Sequence, residues 1–142
     1  MAIPTITTTS RRRLQWTLAV LAAIPLASAS REIALGAAGV PGGSATVNPT
    51  VDSALRYANV YKAALAPIIW TQLARAERSP AVSFALSSLF VGGIARLKSW
   101  QQRGRPHPVI IGAIGLELLA PPLLLVWQQR LRTAKNRIEK SS

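Results

Sequence analysis

The chain has 142 residues, 49% of them hydrophobic and 15% charged, against roughly a quarter charged in an average soluble domain. Seventeen Lys and Arg face five Asp and Glu, a net charge of +12. Cysteine is missing altogether, which excludes disulfides, thiolate metal sites, iron–sulfur clusters and cysteine nucleophiles. The cations gather at the borders of apolar segments: Arg11, Arg12 and Arg13; Arg75 and Arg78; Arg103 and Arg105; and Arg130 to Lys140. Membrane insertion selects that placement, and it also attracts anionic lipid head groups. A nucleic-acid interface would gather its cations on one face instead, so no nucleic-acid role is expected.

Residues 1–13 open with a polar, Thr-rich stretch that ends in three arginines, read as a disordered basic tail. Leu14 to Ser30 then runs seventeen residues without a charge. Two readings compete for it. A basic start, an apolar run and Ala27-Ser28-Ala29 fit a secretory signal peptide, and Ser10-Arg11-Arg12 hints at twin-arginine export. The other reading is a first membrane helix over about 14–35, favoured because the rest of the chain is equally membrane-like.

Residues 36–51 are rich in Gly, Pro and small polar residues and form a loop. Asn48-Pro49 supplies a cap residue followed by proline at the first helical position, a good start for a second helix over 49–74. Its ~39 Å exceed a ~30 Å hydrocarbon core, so the first turns, with Asp52 and Arg56, can stand among head groups while Lys62 lies deep. A charged turn leads to a third helix over 81–100, and a second turn to a fourth over 109–127. Residues 129–142 form a basic amphipathic tail on the cytoplasmic membrane surface. No repeat and no strand periodicity is present.

The expected fold is therefore an all-α integral membrane bundle of four transmembrane helices spanning residues 14–128, multi-pass in the cell membrane. With both termini cytoplasmic, ten cations lie near the inner helix ends and four (Arg31, Lys98, Arg103, Arg105) near the outer ones. Trp16, Trp70 and Trp127 then fall at the inner interface and Trp100 at the outer one.

Charges within spans are expensive and face a bundle interior or a water-filled cavity. Glu117 lies nine residues beyond Pro108 and Arg96 four before Trp100, so both sit in the outer half of neighbouring helices and can meet. Ser88, Gly92 and Arg96 share one face of the third helix; Ala113 and Glu117 share one of the fourth, with Gly112 and Gly115 beside them. Small residues at a crossing bring membrane helices close. Pro121 removes the donor for the carbonyl of Glu117, and Pro122 does the same for Leu118; Pro25 and Pro67 make similar openings in the first two helices. These features allow a polar pocket lined by Asp52, Arg56, Lys62, Arg96 and Glu117, with Tyr57 and Tyr61 as hydroxyl donors. They equally allow an ion-pair network that only fixes helix register, with Asp52 and Arg56 as a plain i, i+4 surface pair.

His107, the one histidine, lies between prolines in a turn and reads as solvated, without a metal partner. Ser87 and Ser88 lack a histidine on any neighbouring span, and Gly92-Gly93 sits within a helix and not between a strand and a helix as a phosphate loop does. No catalytic residue, metal or cofactor is assigned.

Four pieces in order, VDSALRY (Val51 to Tyr57), GGIARLKSW (Gly92 to Trp100), RGRPHP (Arg103 to Pro108) and LELLAPPLL (Leu116 to Leu124), give the stretch from Val51 to Trp127 a resemblance to a bacterial family of small membrane proteins called domain of unknown function 4345. The pieces are specific only together. The resemblance implies a four-helix membrane architecture and puts Asp52, Arg56, Arg96 and Glu117 on the family's polar motif positions. It implies no activity. The triple-arginine start, the basic tail and Lys62 lie outside its pattern.

The function expected is that of a non-enzymatic accessory or structural component of a membrane complex. The alternative is binding or transport of a small molecule, lipid or ion through the pocket around Arg96 and Glu117. The partners expected are the lipid bilayer and its anionic head groups, with a membrane protein or a second copy of the chain beside them.

Overall fold

The structure is a computed structural model that describes residues 3–140, and every long element in it is helical: α1 (Ile3–Leu35), α2 (Pro49–Thr71), α3 (Pro80–Arg103) and α4 (Pro108–Lys140). Short 3-10 segments, Gly36–Gly39 and Leu73–Arg78, follow α1 and α2. Local chemistry fixes the boundaries. The Asn48 side chain accepts from the Thr50 N–H ahead of Pro49, and Ser79 accepts from Val82 N–H ahead of Pro80, two proline-led N-caps. α1 stops at Gly36, whose φ of +59° turns the backbone left-handed. A Cβ there would also fall 1.9 Å from Oδ1 of Asp52, so only glycine fits.

α1 packs chiefly along α2 and α3 along α4, making two antiparallel hairpins that touch each other more lightly through α1–α4 and α2–α3. We call the end bearing the start of α1 and the finish of α4 basal, and the opposite end apical. The basal half is solid. Leu14, Leu18, Ala66, Ile69, Val82, Ala85, Leu86, Leu124 and Leu131 form one buried cluster.

A polar plug closes this end. Gln128, buried, donates to the carbonyls of Ala76 (2.7 Å) and Ser79 (3.1 Å) and accepts from the Ser83 hydroxyl (2.9 Å). Glu77, only 3% exposed, receives Arg11 Nε at 3.2 Å and Lys135 Nζ at 3.6 Å. Trp127 Nε1 donates to Ser10 Oγ (3.0 Å), Gln15 to the Leu73 carbonyl (2.7 Å) and Arg11 to the Ala74 carbonyl. The first and last helices are thus clasped at the base.

Three helices, Thr8–Gly39 within and just past α1, α3, and Pro108–Ile138 of α4, are long and apolar enough to cross a membrane. Their apolar windows are mostly unburied within the bundle, and Trp16, Val20, Phe84, Val91, Leu119 and Leu123 point outward. Water would not tolerate that belt; hydrocarbon would. α2 is not among the three.

The ends differ from expectation. Residues 3–13 are helical rather than a disordered tail, because Ser10 and Arg11 gain partners on α4 and beside Glu77 that hold the added turns. Residues 129–140 continue α4 rather than forming a separate tail: Gln, Arg, Leu, Ala and Lys favour helix, and no Gly or Pro interrupts them. Met1, Ala2, Ser141 and Ser142 lie outside the described residues. α2 stops at Thr71, short of Ala74, because the 3-10 corner begins at Leu73.

The tight α3–α4 crossing runs through Gly93, not Gly92. A Cβ on Gly93 would lie 3.0 Å from Cβ of Glu117 and 3.1 Å from Cδ2 of Leu118, while one on Gly92, Gly112 or Gly115 would meet nothing within 4 Å. Gly93 stands three residues before Arg96, so it shares the arginine's face as surely as Gly92 does. Gly93→Ala should therefore lower stability by about 1–3 kcal/mol through overpacking, while Gly92→Ala should hold or gain up to ~1 kcal/mol, as read from thermal unfolding in mild detergent.

Candidate functional site

Above the basal core the two hairpins part around a chamber of about 270 Å³. Its floor is the upper side of that core, with Leu18, Ile69, Leu86 and Leu124; its walls come mainly from α1 (Leu21, Ile24, Pro25) and α4 (Leu116, Ala120, Pro121); Pro41 of the apical loop reaches it from above. The lining is almost wholly apolar. The polar exceptions are Ser28, whose hydroxyl donates to the Pro25 carbonyl of its own helix, and four charged residues that stand together in the apical half: Glu32 of α1, Lys62 of α2, Arg96 of α3 and Glu117 of α4.

These four groups form two pairs, one within each hairpin. Lys62 Nζ donates to Oε2 of Glu32 at 3.1 Å, and both side chains are largely enclosed. Arg96 Nε lies 3.3 Å from Oε2 of Glu117, an ion-pair distance, but the direction misses a hydrogen bond. That Oε2 is buried and has no hydrogen-bond partner among the described residues. Pro25 and Pro121 deprive the carbonyls of Leu21 and Glu117 of their helical donors, and both of those residues line the chamber.

Lys62, Arg96 and Glu117, expected from the sequence, therefore meet. Asp52 and Arg56 do not join them. Asp52 accepts from Ala37 N–H (2.8 Å) and from Arg56 Nε (2.7 Å), while Arg56 Nη1 donates to the carbonyls of Ile33 and of Ala34, the latter at 3.2 Å. The pair thus ties the frayed C-terminal end of α1, where carbonyls lack helical donors, to the first turns of α2. That is a structural clasp, and more than a surface pair.

Tyr57 and Tyr61 bond to each other (2.7 Å between hydroxyl oxygens) with rings edge to face, on an exposed side of α2 away from the chamber. His107 is exposed and its Nδ1 accepts from Val109 N–H (3.3 Å), capping the start of α4.

Glu32 escaped sequence reasoning. It follows Ser30 and Arg31 at the end of an apolar run, where a charge reads as a head-group residue, and its partner lies thirty residues on in another helix. Glu77 and Gln128 escaped for the same reason, since both act across helices. A faint signal existed: Glu32 is the acidic residue left to balance Lys62 at that level once Asp52 is committed to Arg56 and Glu117 to Arg96.

A family model with the description domain of unknown function (DUF4345) matches residues 13–128, a stretch that holds the whole chamber and stops short of both basic helix ends. No curated protein and no solved structure matches the chain.

Removing one member of an enclosed ion pair strands the other. Lys62→Met should lower stability by on the order of 3 kcal/mol, and adding Glu32→Gln should recover much of that loss, as measured by thermal unfolding of the single and double variants.

Proposed function

The chain belongs to the family named domain of unknown function (DUF4345), and on that footing we propose that it is a four-span protein of the cell membrane, both termini cytoplasmic, that holds a small apolar or amphiphilic molecule in its chamber. The chamber carries this reading. It is enclosed on most sides, apolar over most of its wall, and has convergent polar groups at one level, the usual make-up of a small-molecule site. Ile24 and Leu116 line it and are 48% and 40% exposed, so its open side lies between α1 and α4, facing the hydrocarbon from which an apolar ligand would arrive.

Several features support α2 as the fourth span. Its 23 residues reach ~35 Å, and it lies antiparallel along α1 for that length. Its two cations turn inward, Lys62 to Glu32 and Arg56 to the end of α1, which removes the main objection to burying them. The surplus of cations at the basal end supports a cytoplasmic base. Leu14 and Leu18 belong to the core and Glu32 to the charged cluster, which favours α1 as a retained anchor over a cleaved signal peptide.

The reading is of a binding protein and not an enzyme, because the charged groups at the chamber are matched with one another as ion pairs. A place in a larger membrane complex is favoured by a separate feature: α1 and α4 are each 33 residues, ~50 Å, so their clasped basic ends stand beyond a ~30 Å core as a platform for anionic head groups or a partner protein.

Native mass spectrometry of the protein taken from its own host in mild detergent should show a retained small molecule, absent from an Ala113→Phe variant whose new ring fills the chamber; a bare wild-type chain would count against binding. Because the chain lacks cysteine, topology is testable with single introduced thiols. Ser44→Cys and Gln102→Cys should react with an impermeant reagent on intact cells, and Asn136→Cys only after permeabilisation.

A further inference from the structure

We infer that the molecule held in the chamber is an uncharged amphiphile with a hydroxyl head, its head set between Arg96 and Glu117 and its short hydrocarbon tail running toward Leu86 and Leu124. This rests on the binding reading above and adds the chemistry of the ligand.

Size comes first. A dry cavity of ~150 Å³ accepts benzene, so about 270 Å³ suits a ligand of roughly ten or eleven non-hydrogen atoms. With Leu18, Leu21, Leu86 and Leu124 on the wall, most of those atoms must be carbon.

The charged level then selects the head. Glu32 and Glu117 balance Lys62 and Arg96, so the cluster is neutral before any ligand arrives. An anionic or cationic head would add a net charge in a low-dielectric interior with nothing left to compensate it. A bare hydrocarbon avoids that cost but leaves Oε2 of Glu117 without a donor. A hydroxyl does what neither can. It donates to the Glu117 carboxylate once the pair shifts enough to admit it, since Oε2 is closed to a water-sized group with Arg96 3.3 Å away, and its own lone pairs accept from the guanidinium of Arg96, which makes no hydrogen bond among the described residues.

The test uses the full chain in lipid nanodiscs and photo-labelling, which reports position even for probes that dissolve in the bilayer. Four probes share one eight-carbon chain with a mid-chain diazirine and differ in the head: octanol, octane, octanoate and octylammonium. Labelled peptides are mapped by mass spectrometry. Octanol should label the chamber segments of α1, α3 and α4 about tenfold more than the other three, the equivalent of one hydrogen bond to a charged group. Excess unlabelled octanol should compete it away. Glu117→Leu should lower octanol labelling to the octane level and leave octane labelling unchanged, with helical content and melting checked alongside. Equal chamber labelling by octane and octanol, or stronger labelling by octanoate or octylammonium, overturns the hydroxyl inference and leaves the chamber a binding site. Labelling confined to the exposed belt for every probe overturns the binding reading itself. The comparison among heads is made on the wild-type chain, so it holds whether or not the variant folds.

Discussion

A charge held in a low-dielectric interior needs its opposite close by, and in this protein each enclosed charge at the chamber finds it on the adjacent helix of its own hairpin. Glu32 and Lys62 join α1 to α2; Arg96 and Glu117 join α3 to α4. The pairing fixes the height of each helix against its neighbour, since a slip by one residue would move a carboxylate ~1.5 Å along the axis and by about 100° around it. It also leaves each hairpin neutral at that level. Above the basal core the two hairpins stand apart around the chamber. The close α3–α4 approach at Gly93, directly against Glu117, belongs to the same arrangement.

The basal half is built differently. Apolar side chains from all four helices fill it, and the polar groups beneath are satisfied across elements: Gln128 against the carbonyls of Ala76 and Ser79, Glu77 against Arg11 and Lys135. Glu77 is the most enclosed of the carboxylates in these pairs and the only one with two cations. A packed base and a hollow upper half give the bundle a floor on which a ligand's tail could rest and a level at which its head could be read.

Much of this was legible in the sequence, because hydrophobic run length is a one-dimensional signal. The four helices, the proline-led start at Pro49, and the meeting of Arg96 with Glu117 all follow from run length, capping and spacing along single helices joined by a short turn. What depended on which helices lie side by side was not legible. Nothing along the chain singles out Glu32 until α2 brings Lys62 beside it. Asp52 and Arg56, at ideal helical spacing for each other, gave no sign that the guanidinium also reaches the last carbonyls of α1. The choice between Gly92 and Gly93 turned on a rotation of α3 that periodicity leaves undetermined to within a residue. The helical turns before residue 13 rest on contacts far apart in the chain, such as that between Ser10 and Trp127.

The clasp at the base bears on how such a chain is made. Ser10 and Arg11 leave the ribosome first among the residues that close the bundle, and Trp127 and Lys135 leave it last. The α1–α2 hairpin is internally balanced once Lys62 has emerged and can wait in the bilayer as a finished unit. Closure of the ring must wait until α4 has been made as far as Lys135. Until then Glu77 has Arg11 alone, and the faces of α1 that later meet α4 are open to lipid or to an insertion factor. A chain halted before its last helix would keep the balanced α1–α2 hairpin but leave Arg96 of α3 without Glu117.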